Sequence, residues 1–108
     1  MDITITWNKP INVMNFLRQV GYHPIHDYQD SKDSWVRNLG SGHYPRFHLY
    51  TKGDNRTTTF SLHIDQKQHT MEVPGVKRHA GEYDSAVVQQ EGNRLQRWIQ
   101  YAQSSQYR

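Results

Sequence analysis

The chain has 108 residues, room for one domain, and carries seven His and no Cys. The missing Cys excludes disulfides, thiolate zinc sites and Cys nucleophiles, so any site chemistry must use nitrogen and oxygen groups. Lys and Arg number 13 against 10 Asp and Glu, a net charge of +3, which permits a phosphate-rich partner without demanding one.

Hydrophobic residues make up 34% of the chain, so the core must be lean. The modest net charge and the 12% share of Phe, Trp and Tyr argue for a folded domain, because each large aromatic buries roughly 150–250 Å². Acidic and basic residues are mixed along the chain, as on an ordinary solvated surface. Exposed His would add positive charge below about pH 6 and tighten any anionic partner. No stretch approaches the ~18 apolar residues of a membrane span. Met1-Asp2-Ile3-Thr4-Ile5-Thr6 lacks the basic and apolar blocks of a signal peptide, so a cytoplasmic location is the expectation.

Ile3, Ile5 and Trp7 alternate with polar residues, which predicts a strand or extended arm within residues 1–8. Asn8 and Pro10 read as a helix start. Val13, Phe16, Leu17 and Val20 then keep helical spacing up to the stop signal Gly21, so a helix is expected over residues 10–20. Two strands with a polar loop between them follow, around residues 22–28 and 34–39. Pro24 restricts the first to a sheet edge.

The strongest strand signal is a hairpin. Residues 46–51 and 58–65 alternate around the turn formers Lys52-Gly53-Asp54-Asn55-Arg56. Phe47, Leu49, Phe60, Leu62 and Ile64 share one face; Arg46, His48, Tyr50, Ser61, His63 and Asp65 share the other. A turn centred on Asp54-Asn55 would pair position 46 with 63 and position 48 with 61. Residues 66–83 are irregular and punctuated by Pro74, Gly75 and Gly81. Asp84 or Ser85 then caps a helix with an apolar stripe of Val88, Leu95, Trp98, Ile99 and Ala102. Gly92 inside it costs about 1 kcal/mol relative to Ala and marks a close packing contact. The tail, residues 103–108, is polar and expected to fray. The expected fold is α+β: a helix, an antiparallel β-meander of three to four strands and a C-terminal helix packed on one sheet face, with an extra N-terminal strand.

Three constellations can carry chemistry. The first is the polar hairpin face, where His63 and Asp65 project side by side near His48 and Arg46. A His beside a carboxylate has the makings of an oriented general base or of a supported metal ligand. In the enzyme version His63 is general base, Asp65 orients it, His48 borders the pair, and Arg46 with Lys67 stabilises phosphate charge. The bland alternative is the ordinary polar side of an antiparallel sheet. The second is His79-Ala80-Gly81-Glu82-Tyr83-Asp84, one imidazole and two carboxylates beside a helix start. His79 and Glu82 could join His48, His63 and Asp65 around a divalent metal such as Zn²⁺ or Mn²⁺. Its alternative is helix capping by Asp84 with a surface His79. The third is phosphate or RNA contact by Arg46, Lys67, Lys77 and Arg78, with Tyr44, Tyr50 and Tyr83 as stacking surfaces. Its alternative is scattered solvated cations. His23, His26 and His69 read as surface residues, and His43 as a turn residue. Trp35 and Trp98 read as core, with Trp7 open.

The stretches His43-Tyr44-Pro45-Arg46-Phe47-His48, His63-Ile64-Asp65-Gln66-Lys67 and His79-Ala80-Gly81-Glu82-Tyr83-Asp84 resemble those of a family of small bacterial proteins, over most of the chain after Pro10. That likeness brings no established activity. More remotely, the element order is similar to the double-stranded-RNA-binding-domain architecture, shared by HicA-type toxins that cleave mRNA with a His. The toxins carry that His on the strand after the first hairpin loop, which here reads Lys32-Asp33-Ser34-Trp35 and has none. A nuclease built on this chain would therefore use His48 or His63. The leading expectation is binding of, or action on, a phosphate-rich ligand, with RNA the favoured case, as a ribonuclease-like or metal-dependent hydrolase. The rivals are a His/carboxylate metal-binding protein and a non-catalytic module that pairs with a protein through the edge strand around residues 22–28.

Overall fold

Alternation of apolar and polar side chains along three of its segments folds the chain into an antiparallel sheet with one apolar face. The computed structural model describes residues 1–25, 34–66 and 84–107. The strands are β1 (Asp2–Thr6), β2 (His23–Ile25), β3 (Ser34–Asn38), β4 (Arg46–Gly53) and β5 (Thr57–Asp65). The helices are α1 (Val13–Val20), between β1 and β2, and α2 (Ala86–Ala102), after β5. Sheet order is β1-β5-β4-β3-β2 with every neighbouring pair antiparallel, so β2 to β5 form a meander and the N-terminal strand closes the far edge. This is the expected α+β architecture. Pro24 lies on the edge strand β2, the kind of position in a sheet that tolerates a residue without an N–H.

One sheet face and the two helices make the core. Ile3, Ile5, Trp35, Phe47, Leu49, Phe60, Leu62 and Ile64 from the sheet meet Phe16, Leu17 and Val20 of α1 and Val88, Leu95, Ile99 and Ala102 of α2. Trp7 joins them, stacks edge-on against Phe16 at 5.5 Å and donates its indole N–H to Thr58 Oγ1 at 3.0 Å. Trp35 is core as well, whereas Trp98 is partly buried at the core margin.

Three local expectations are corrected. First, α1 starts at Val13, because Asn12 is the residue that caps it, accepting from the Asn15 N–H at 3.0 Å. Asn8 is instead held by Gln103: its N–H donates to Gln103 Oε1 and its side-chain amide to the Gln103 carbonyl, both at 2.7 Å. Second, the polar tail does not simply fray. Lys9 reaches the Ser104 carbonyl, Gln103 reaches the Thr6 carbonyl, and Tyr107 packs against Tyr101. Third, the hairpin turn is longer than expected. Asp54 Oδ1 accepts from both the Arg56 and Thr57 N–H groups, and Gly53 takes φ +95, where an added Cβ would collide with the Thr57 carbonyl. The register therefore moves by two: Arg46 pairs with Asp65, His48 with His63 and Tyr50 with Ser61. A shift of two keeps each residue on its face and changes only which residues stand opposite.

Ser85 caps α2 through its hydroxyl, and Gly92 faces Met1, whose sulfur an added Cβ would collide with. No described helix is long and apolar enough to cross a membrane.

Candidate functional site

The sheet face away from the helices carries Ser34 and Val36 of β3, Arg46, His48 and Tyr50 of β4, and Ser61, His63 and Asp65 of β5. The observed register puts His48 directly across from His63 and Arg46 directly across from Asp65. The Asp65 carboxylate then reaches diagonally between the rows. Its Oδ2 lies 2.9 Å from His48 Nδ1 and 3.2 Å from Arg46 Nε, and its Oδ1 lies 2.9 Å from His63 Nε2. One carboxylate thus holds both imidazoles, whose ring centroids are 4.8 Å apart.

The surroundings fix the cluster further. Tyr50 stacks on His48 at 4.5 Å and on His63 at 5.8 Å. Ser34 Oγ is hydrogen-bonded to His48 Nε2, so both nitrogens of that ring are engaged. The Arg46 guanidinium lies over the Tyr44 ring at 4.6 Å. His48 is only 7% exposed and Ser34 only 2%, so this part of the face is not the open, solvated side of an ordinary antiparallel sheet. Val36 is buried beside them and stands apart from the main core cluster. Burial works to raise the Asp65 pKa. The hydrogen bonds and charge of His48 and His63 outweigh it and hold the carboxyl well below the usual carboxylate range.

His48, His63 and Asp65 each offer a ligand atom, and these atoms lie within 4.8 Å of one another. Two imidazole nitrogens and a carboxylate oxygen form a donor set that suits first-row divalent ions. Of the residues singled out from sequence, the structure brings together His48, His63, Asp65 and Arg46. Lys67, Arg78, His79 and Glu82 lie outside the described residues, as do His26, His69, Lys77 and Tyr83. His23 and His43 are exposed. His23 pairs with Val36 and so lies in the same cross-sheet row as His48, two strands away. Asp84 is exposed, and its carbonyl accepts from the Gln89 side chain.

Sequence reasoning missed Ser34. The signal was available: residue 34 has the same parity as Val36, which pairs with His48, so both face the polar side. Sequence reasoning also missed a second carboxylate cluster, on the core side. Glu91 of α2 is 3% exposed; Tyr22 donates to its Oε2 at 2.6 Å, and Arg94 binds both of its oxygens at 2.6 and 2.9 Å. Arg37 lies 3.5 Å away, and Arg94 also donates to the Val20 carbonyl at the end of α1. Comparison with family profiles, curated proteins and solved structures returned no match for this chain.

Proposed function

We propose that the chain is a divalent-metal-binding protein whose centre engages an anionic, phosphate-rich ligand, with RNA the favoured case. The observation that carries this reading is the convergence of His48 Nδ1, His63 Nε2 and the Asp65 carboxylate from two adjacent strands. Strands place these groups more rigidly than loops would, which favours a defined coordination geometry. Zn²⁺ or Mn²⁺ fits a nitrogen and oxygen donor set, and three protein ligands leave coordination positions for water or substrate.

Charge supports the second half of the reading. A dication, the Arg46 cation and the Asp65 anion together leave the site with two positive charges. An oxyanion of the ligand would neutralise them, and Arg46 is a suitable donor because its guanidinium is positioned by both Asp65 and the Tyr44 ring. In catalysis the metal would polarise a phosphoryl oxygen or supply a bound hydroxide. Without metal, the same residues give the acid–base version: Asp65 orients both imidazoles, and His63 acts as general base beside Arg46.

Metal analysis of protein purified without a His tag tests the centre. Stoichiometric Zn or Mn, or a rise in melting temperature on adding either ion, is expected; the absence of both would reject the metal reading. An RNA panel assayed with and without chelator then separates the versions. Cleavage that needs metal supports the first, cleavage that survives chelation but not His63→Ala supports the second, and no binding or cleavage removes the RNA ligand.

A further inference from the structure

The hydrogen bond between Ser34 and His48 has a consequence for how the proposed centre takes up metal. An ionised carboxylate only accepts hydrogen bonds, and a neutral imidazole carries one N–H. Without metal, His48 Nδ1 faces Asp65 Oδ2 at 2.9 Å and must therefore carry the hydrogen. Nε2 is then bare, and the Ser34 hydroxyl donates to it. A cation on Nδ1 needs the lone pair that this hydrogen occupies. The neutral ring must then carry its N–H on Nε2, and Ser34 must accept. Only a partner that is both donor and acceptor serves both states. A hydroxyl is such a group; a backbone N–H or a carbonyl would hold the ring in one tautomer.

We propose that Ser34 is a positioning residue whose hydroxyl reverses its hydrogen bond so that His48 changes tautomer when the centre takes up a divalent cation. The proposal rests on the metal reading above and concerns an outer-shell group, not a ligand. Ser34 suits this role because it is buried at the first position of β3, on the same face as His48 and diagonal to it in the register. Ligating imidazoles ordinarily donate their second N–H to such a partner, which fixes ring orientation and basicity. The chain of contacts Ser34–His48–Asp65 also matches the nucleophile–base–orienter order of a hydrolytic triad. At 2% exposure, however, the Ser34 hydroxyl offers no face to a substrate.

The test uses the full-length protein labelled with ¹⁵N. Long-range proton–nitrogen correlation reads which His48 nitrogen carries the hydrogen, first in chelator-treated protein and then with Zn²⁺. The hydrogen is expected on Nδ1 without metal and on Nε2 with it. Zn²⁺ affinity, measured against a chromophoric chelator, should fall about 10–100-fold in Ser34→Ala, the usual cost of losing an outer-shell partner, and recover in Ser34→Thr. An unchanged His48 tautomer on Zn²⁺ binding overturns the proposal while leaving the metal reading intact. Undiminished affinity in Ser34→Ala does the same. Covalent labelling of Ser34 by a fluorophosphonate overturns it in favour of a nucleophile. If wild-type protein binds neither Zn²⁺ nor Mn²⁺, both readings fall. The wild-type spectrum decides the tautomer question even if a Ser34 variant fails to fold.

Discussion

The two faces of the sheet each organise charge around one carboxylate, but with different partners. On the core side Glu91 is surrounded by Arg94, Arg37 and the Tyr22 hydroxyl, and it joins the end of α1, the residue before β2, β3 and α2. On the opposite side Asp65 is surrounded by His48, His63 and Arg46, all from the two strands of one hairpin. The guanidinium groups near Glu91 hold fixed charge, and the buried Tyr22 phenol keeps its hydrogen, so neither serves as a metal ligand at neutral pH. The imidazoles near Asp65 can surrender a nitrogen lone pair to a cation. The first cluster is thus a fastening between layers, and the second is built from exchangeable partners. Buried carboxylate clusters occur in both functional sites and structural networks, and partner identity separates the two cases here.

Breaking each carboxylate should expose that contrast. Glu91→Ala leaves two arginines and a phenol facing a gap, and removing one partner of a buried ion network costs about 3–5 kcal/mol. Chemical denaturation should show a loss of that size, with Zn²⁺ affinity of the remaining folded protein unchanged. Asp65→Ala should cost less stability, about 1–3 kcal/mol, because the Asp65 carboxylate is itself less deeply buried, with 13% of its side chain exposed against 2% for Glu91. It should reduce Zn²⁺ affinity by more than the roughly 100-fold upper range of outer-shell changes. Equal effects of the two substitutions on metal affinity would erase the distinction between the clusters.

The faces of the hairpin were legible in the sequence because strand alternation has a strict period of two. That is why Phe47, Leu49, Phe60, Leu62 and Ile64 went to the core and Arg46, His48, His63 and Asp65 to the other side. The register was not legible, since it depends on the Asp54 side chain capturing two N–H groups and lengthening the turn. The error preserved parity, so it kept the candidate residues together while misplacing their partners: His48 faces His63 rather than Ser61. Glu91 escaped notice because the stripe of α2 was read from apolar residues alone. It lies three residues after Val88 and four before Leu95, so helical spacing puts it on the buried side. Its partners Tyr22 and Arg37 are 69 and 54 positions distant in sequence, and no local pattern joins them.

The clusters should also respond to opposite ends of the pH scale. Asp65 has a folded pKa depressed below its unfolded value, so its contribution is present above about pH 4 and disappears as pH falls through the folded value. The stability gap between wild type and Asp65→Asn should therefore narrow in acid below about pH 4, read from urea midpoints. A gap that stays constant down to acid unfolding would mean that the two imidazoles do not hold the carboxylate in its charged form.

Tyr22 carries the opposite sign. Burial, then the charge of Glu91 and the hydrogen bond to it, push the Tyr22 hydroxyl far above the usual tyrosine range, against the opposing pull of Arg94 and Arg37. A raised pKa contributes stability that is complete below the unfolded value of about 10 and is lost as pH rises beyond it. At neutral pH Tyr22→Phe should cost only about 1.5 kcal/mol, one hydrogen bond to a charged acceptor, because both arginines still pair with Glu91. Above about pH 10 the unfolded wild-type chain gains stability by ionising Tyr22 and the folded chain does not, so the wild-type advantage over Tyr22→Phe should shrink. Parallel loss of stability in both proteins across that range would show that the phenol ionises in place, with the two arginines able to offset a second anion beside Glu91. The core cluster would then be as adaptable as the imidazole cluster, and partner chemistry would cease to distinguish fastening from site.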